Sequence, residues 1–156
     1  MPQSLARVPL HLIFSTKNRA PLIADEVRES LHRYMAVVLT NLGCRCVLIN
    51  SVEDHVHILF ELARTVSISD AVQDVKASSS KWIKGQGRAG SPKTAATRFA
   101  WQAGYGIFAV SPSNVPRVRA YIDNQRAHHR RTTFQDEYRA FLRRHGIPFD
   151  EEYVWD

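Results

Sequence analysis

Two histidines separated by one apolar residue stand inside the run Asp54-His55-Val56-His57-Ile58-Leu59-Phe60. Side chains alternate faces along a strand, so His55, His57, Leu59 and Glu61 share one face while Val56, Ile58, Phe60 and Leu62 share the other. The second face is wholly apolar and reads as core. On the first, two imidazoles at i and i+2 lie roughly 6 to 7 Å apart at the backbone, a spacing from which both can converge on one divalent cation. The same spacing serves two solvent-facing histidines on a half-exposed strand, and the pair alone leaves both readings open. Further along, Tyr121 and Gln125 fall one helical turn apart on a stripe with Val118 and Ile122. In the packing reading, Tyr121 fills space and Gln125 is its hydrogen-bonded neighbour. If instead this helix crosses the histidine face, Gln125 offers a carbonyl oxygen to the cation and Tyr121 sets a phenol beside it. Two nitrogens and one oxygen suit Mn²⁺ better than Mg²⁺ by ligand softness, and phosphate oxygens from a substrate help either ion.

The elements that must position these residues follow in a regular order. Leu10 to Thr16 alternates as a first strand, with Leu10, Leu12 and Phe14 on one face and His11, Ile13 and Ser15 on the other. After a basic turn and Pro21, apolar residues recur at three and four residue steps from an Asp25 cap to a Gly43 stop, which predicts a helix. Cys44 to Ser51 and the histidine run form a hairpin around Glu53-Asp54. Ser67 with Asp70 three later caps a second helix, which ends near Ile83. Lys84 to Thr97 has no periodicity and reads as a mobile basic loop able to touch a substrate. Tyr105 to Val110 is a fourth strand, and Ser111-Pro112-Ser113 stops it ahead of a third helix near 115–129.

Strand, helix, strand, strand, helix, strand is the α+β, ferredoxin-like (split βαβ) order: a four-stranded antiparallel sheet with both helices on one face and the other face open. His55 and His57 then face outward, with His11 on the same face. The helix bearing Tyr121 is extra to this fold and must dock elsewhere. A last helix starts at Thr133, with Asp136 as capping partner, and the acidic tail bearing Phe149, Tyr153 and Trp155 packs back on the body. One domain over 1–156 is expected, with its core at about 8–111, the tyrosine helix at about 114–130, and the closing helix and tail at 133–156.

The 156 residues are 44% hydrophobic and 23% charged, enough for one real core. No apolar run approaches the ~20 residues of a membrane span and nothing marks export, so a cytoplasmic protein without a membrane partner is expected. Cys44 and Cys46, two apart in a strand, suit neither a local disulfide nor a zinc site. A formal charge of +6, from 21 Lys and Arg against 15 Asp and Glu, favours a polyanionic partner, nucleic acid first.

Several stretches, in this order, resemble the HUH single-tyrosine transposases of small bacterial insertion sequences, including their REP-associated relatives. They are Thr16-Lys17-Asn18-Arg19, His55-Val56-His57, Trp101-Gln102-Ala103-Gly104-Tyr105, the helix Tyr121-Ile122-Asp123-Asn124-Gln125, and the closing segments Thr133 to Tyr138 and Tyr153 to Asp156. The resemblance covers essentially the whole chain. It implies a metal-dependent DNA strand transferase in which Tyr121 attacks single-stranded DNA, leaving a 5′-phosphotyrosine link and a free 3′-hydroxyl. It also implies a Mg²⁺ or Mn²⁺ ion held by His55, His57 and Gln125, hairpin-containing element ends as substrate, and a homodimer with the tyrosine acting in cis or in trans. No nucleotide cofactor is needed, because the phosphotyrosine conserves the bond energy.

A free phenol with pKa ~10 is about one part in a thousand ionised at pH 7, a deficit of roughly 4 kcal/mol that the site must offset. Lys17, Arg19, Arg126, Arg130 and Arg131 are candidates to hold the DNA backbone, with His128 and His129 in the same basic run. Two other readings stand beside this one: a non-catalytic module that binds nucleic-acid hairpins on its open sheet, and a metal-dependent nuclease in which water attacks and Tyr121 only packs.

Overall fold

A computed structural model describes residues 2–86 and 98–156. Four strands, β1 (Pro9–Ser15), β2 (Arg45–Ser51), β3 (His55–Glu61) and β4 (Gly106–Ala109), form an antiparallel sheet in the order β2-β3-β1-β4. This is the ferredoxin-like order expected from the sequence. Leu10, Leu12 and Phe14 of β1 and Val56, Ile58 and Phe60 of β3 pack on α1 (Asp25–Asn41) and α2 (Ile68–Lys84), whose Leu31, Met35, Leu39, Val72, Val75 and Ile83 close the main core. Cys44 is buried there and Cys46 packs against it, both as free thiols. Most of the expected basic loop, residues 87–97, lies outside the described residues; Lys84 itself ends α2.

The local signals act where they were read, with small shifts. Ser67 Oγ accepts from the Asp70 N–H at 3.0 Å, and Thr133 Oγ1 accepts from the Asp136 N–H at 3.2 Å at the start of α5 (Phe134–Arg144). Gly43, at φ +83°, stops α1 in the left-handed region. Asp25 is not a cap: Ala24 holds that position, and Asp25 sits in the first turn, where its carboxylate pairs with Arg28 at 2.6 Å. The fourth strand is Gly106–Ala109, one residue shorter at each end than expected, and the segment before it is held by other contacts. Trp101 bridges to Thr16 and donates to Ser79 Oγ at 2.9 Å, while Gln102 Oε1 accepts from the Ser15 N–H at 2.8 Å.

The largest departure from expectation concerns the second face of the sheet, which is covered rather than open. Here α3 (Val115–Asp123), α4 (Gln125–His128) and α5 lie over it, with Ile13, Phe108, Phe134, Tyr138 and Leu142 forming one apolar cluster and Leu59, Val110 and Ile122 another. The histidines therefore do not face outward: His11, His55 and His57 are 2%, 1% and 0% exposed. Phe149, Val154 and Trp155 of the tail pack on the first of these clusters, as expected, whereas Tyr153 projects outward. Among the described residues no helix is long and apolar enough to cross a membrane.

The helix carrying Tyr121 is also not continuous. It breaks at Asn124 (φ −94°, ψ 16°), separating α3 from α4. The cause is Asn50 on β2, whose Nδ2 donates to the carbonyls of Ile122 at 2.8 Å and Asp123 at 3.3 Å. Those carbonyls would otherwise accept from residues one turn further on.

The covering layer relies on a close approach at β4. A Cβ on Gly106 would meet the Tyr138 ring on α5 at 2.7 Å, so only glycine leaves room for the helix. Gly106→Ala should destabilise the fold by about 1 to 3 kcal/mol through overpacking, read as a fall in the urea midpoint, and Gly106→Ala with Tyr138→Leu should recover part of that loss. An unchanged midpoint for the single variant would mean that α5 does not depend on this contact.

Candidate active site

Alternation along β3 sends His55 and His57 to the covered face, and their outer nitrogens are tied down. His55 Nδ1 lies 2.7 Å from Asp54 Oδ1, and His57 Nδ1 lies 2.8 Å from Nε2 of His11 on the neighbouring strand. Both Nε2 atoms are thereby aimed inward. There they meet two side chains that the sequence reading passed over as ligands, His129 and Glu137. Glu137 Oε1 is 3.0 Å from His57 Nε2, 3.4 Å from His129 Nε2 and 3.7 Å from His55 Nε2. Donor atoms of His55, His57, His129 and Glu137 all fall within 4.8 Å of one another.

Of the expected ligands, His55 and His57 are thus brought together, and Gln125 is fully buried beside them with Oε1 2.7 Å from His129 Nε2. Both missed residues carried a signal. His129 follows Gln125 by four residues and so continues its face across one more turn. Glu137 sits on the apolar stripe of α5, three after Phe134 and four before Phe141, where a carboxylate has no reason to be unless it meets a partner.

Tyr121 reaches the same centre from α3. Its hydroxyl donates to Glu137 Oε2 and lies 3.3 Å from His128 Nε2, which is itself 3.0 Å from that carboxylate oxygen. Glu137 therefore has one oxygen on the histidine side and one on the tyrosine side. Burial opposes its ionisation, but hydrogen bonds from His129 and His57 outweigh that and hold its carboxyl well below the usual range. Burial pushes His57 down to about 4 and takes His11 well below its ordinary value, so both imidazoles are neutral, the form a metal ligand needs. For His129 burial also works against the charge, yet Glu137 raises it overall. Burial, and then the Glu137 charge, push the Tyr121 phenol far above its usual value. In this arrangement the tyrosine is protonated and at rest.

The candidate DNA-binding residues are spread around the molecule. Arg19 lines a cavity of about 300 Å³ that reaches Asp54 and His129, whereas Lys17 lines a different hollow with Arg98. Arg126 pairs with Asp25 on α1 at 3.4 Å, and Arg130 and Arg131 are exposed beyond α4. His128 and His129, read in the sequence as part of a backbone-holding run, instead turn into the site. Another cavity, of about 500 Å³, opens against Tyr121 itself and is lined by His11, Arg117, Phe141 and Arg144 among others.

Known proteins share the ferredoxin-like fold of this chain. Residues 4–125 match the family model described as "Transposase IS200 like". A crystal structure of a candidate transposase from Deinococcus radiodurans R1 is 25% identical, with a TM-score of 0.60 over 80% of this chain and 98% of that one. A REP-associated tyrosine transposase bound to a REP hairpin shares the fold with a TM-score of 0.59 at 12% identity, over 83% of this chain and 73% of its own. No curated protein sequence matches. The chain belongs to the IS200-like transposase family.

The Asp54 contact makes a specific expectation about metal binding. Carboxylates that orient a ligating histidine are worth about 10- to 100-fold in affinity, so Asp54→Ala should weaken Mn²⁺ binding by about that factor in a calorimetric titration. Equal affinity in the variant and parent would show that His55 is not a ligand or needs no orienting partner.

Proposed function

We propose that this transposase cleaves and rejoins single-stranded DNA through a 5′-phosphotyrosine intermediate, with Tyr121 as nucleophile and a divalent metal at the histidine cluster. The observation that carries the reading is the shared carboxylate. The Tyr121 hydroxyl and His57 Nε2 both reach Glu137, so nucleophile and ligand cluster lie within the span of one phosphate group. The donor set fits a cation: His55, His57 and Gln125 would hold it, with His129 and Glu137 close enough to join. Three imidazoles and a carboxylate favour Mn²⁺ over Mg²⁺. When bound, such an ion would act as a Lewis acid on a non-bridging phosphate oxygen.

The rest of the chemistry falls to the chain's own residues. Tyr121 Oη attacks phosphorus, the bond from phosphorus to O3′ breaks, and the 5′-phosphate stays on the tyrosine. The phenolic proton passes to Glu137, whose Oε2 already accepts its hydrogen bond, and O3′ takes a proton from water as it leaves. Attack by a 3′-hydroxyl on the phosphotyrosine reverses these events and rejoins a strand. The docking of α3 on β2 and β3 of its own chain supports a site completed in cis in each subunit of the proposed homodimer. The hairpin held by the REP-associated neighbour and this chain's charge of +6 support hairpin-containing DNA as the substrate, met in the cytoplasm.

The test is to incubate the protein and Mn²⁺ with labelled single strands from the DNA flanking its own gene and resolve the products on a denaturing gel. A protein-linked product is expected with the parent and none with Tyr121→Phe, while DNA affinity stays within about 2-fold because only a hydroxyl is lost. Glu137→Gln should slow adduct formation by about 10²- to 10⁴-fold, the usual scale for a lost proton acceptor. Tight hairpin binding without an adduct would point to a binding module instead, and nicked product without an adduct to a water-using nuclease.

A further inference from the structure

The cavity against Tyr121 has walls from two helices. α3 contributes Arg117, one turn before Tyr121, with Asn114 just ahead of the helix; α5 contributes Phe141 and Arg144. At about 500 Å³ it falls within the ~300 to 1,000 Å³ of cavities that hold small ligands. Its floor is aromatic: the Phe141 ring lies 5.7 Å from Tyr121 and 5.1 Å from His11 between ring centres, and the Arg144 guanidinium sits 5.5 Å over Phe141. Its rim is cationic and free to bind. Among the described residues neither Arg117 nor Arg144 pairs with a carboxylate, whereas Arg126 and Arg139 do. An aromatic floor flanked by unpaired guanidinium groups suits a base and the phosphate attached to it.

We infer that this cavity is the subsite for the nucleotide adjoining the scissile phosphate, with Arg117 and Arg144 holding the DNA backbone and the stacked Phe141 and Arg144 side chains flanking the base. The inference rests on the proposed single-stranded DNA substrate, and it moves the principal backbone contacts away from Arg126, Arg130 and Arg131. It also explains why the arginines lie on both helices. A strand threaded between α3 and α5 runs along Tyr121, which lines the cavity, so binding in the cleft bears on the register of the attack. These are positioning residues, and their loss should raise KM more than it lowers kcat.

Binding is best read without chemistry, in a Tyr121→Phe background, by fluorescence anisotropy of a labelled single strand from the DNA flanking the chain's own gene. Each single-strand phosphate contact contributes about 0.7 to the slope of log affinity against log salt. Arg117→Gln with Arg144→Gln should lower that slope by about 1.4, while Arg33→Gln with Arg64→Gln, an equal change of charge elsewhere, should leave it within about 0.3. An abasic substitution at one position should weaken binding to the Phe141-containing protein and have less effect on Phe141→Leu. An unchanged slope in the Arg117/Arg144 variant, or an equal fall in the control, would overturn the assignment. Loss of binding confined to the Arg117/Arg144 variant supports the cleft even if the parent forms no adduct, a result that would remove the tyrosine chemistry alone.

Discussion

One buried carboxylate joins the two halves of this site. Glu137 is 3% exposed and receives His57 and His129 on one oxygen and Tyr121 and His128 on the other. An anion so far from water persists only if several donors satisfy it, and removing one partner of a buried charged set typically destabilises by about 3 to 5 kcal/mol. The carboxylate thus organises α3, α4, α5 and β3 around a single point. Its charge also keeps the phenol protonated and favours the charged form of His129. Activation of Tyr121 therefore requires a change in what surrounds Glu137: either a cation drawing on the same histidines, or a phosphate competing for the same donors.

The covered second face of the sheet makes this possible. On an open face, imidazoles at i and i+2 would be solvated and would titrate near their ordinary value. Under α3 and α5, burial keeps His11 and His57 neutral, and their hydrogen bonds fix which nitrogen points inward. Low polarizability of the surroundings strengthens every charge interaction within the cluster. The layer that carries Tyr121, the proposed nucleophile, is the same one that buries the candidate ligands.

Much of this was legible in the sequence, because it depends on local rules. Alternation in β1 and β3 separated the residues that face α1 and α2 from those that face the second layer, the Ser67 and Thr133 caps marked two helix starts, and the strand and helix order pointed to the sheet topology. What was not legible depends on distant contacts. The outward-facing histidines were an error of context: the minimal fold leaves one face free, and nothing local says that α5 returns to cover it. The break at Asn124 was hidden because its cause, Asn50, lies over seventy residues away. Glu137 was readable in principle as a carboxylate on an apolar stripe, but its partners belong to three other elements.

The break at Asn124 then has a structural logic. An unbroken helix would carry Tyr121, Gln125 and His129 along one straight stripe, each about 6 Å further along the axis than the last. A compact cluster cannot be reached equally by all three from such a line. By capturing the Ile122 and Asp123 carbonyls, Asn50 ends α3 two residues after Tyr121 and the chain restarts as α4 at Gln125. His129 then comes within 2.8 Å of His55, while Tyr121 keeps its own contact with Glu137. Asn50 pairs with His57 in the β2–β3 register, so a candidate ligand and the residue that interrupts the helix are neighbours across one ladder. The hairpin thus fixes both a candidate ligand and the point at which the tyrosine helix breaks.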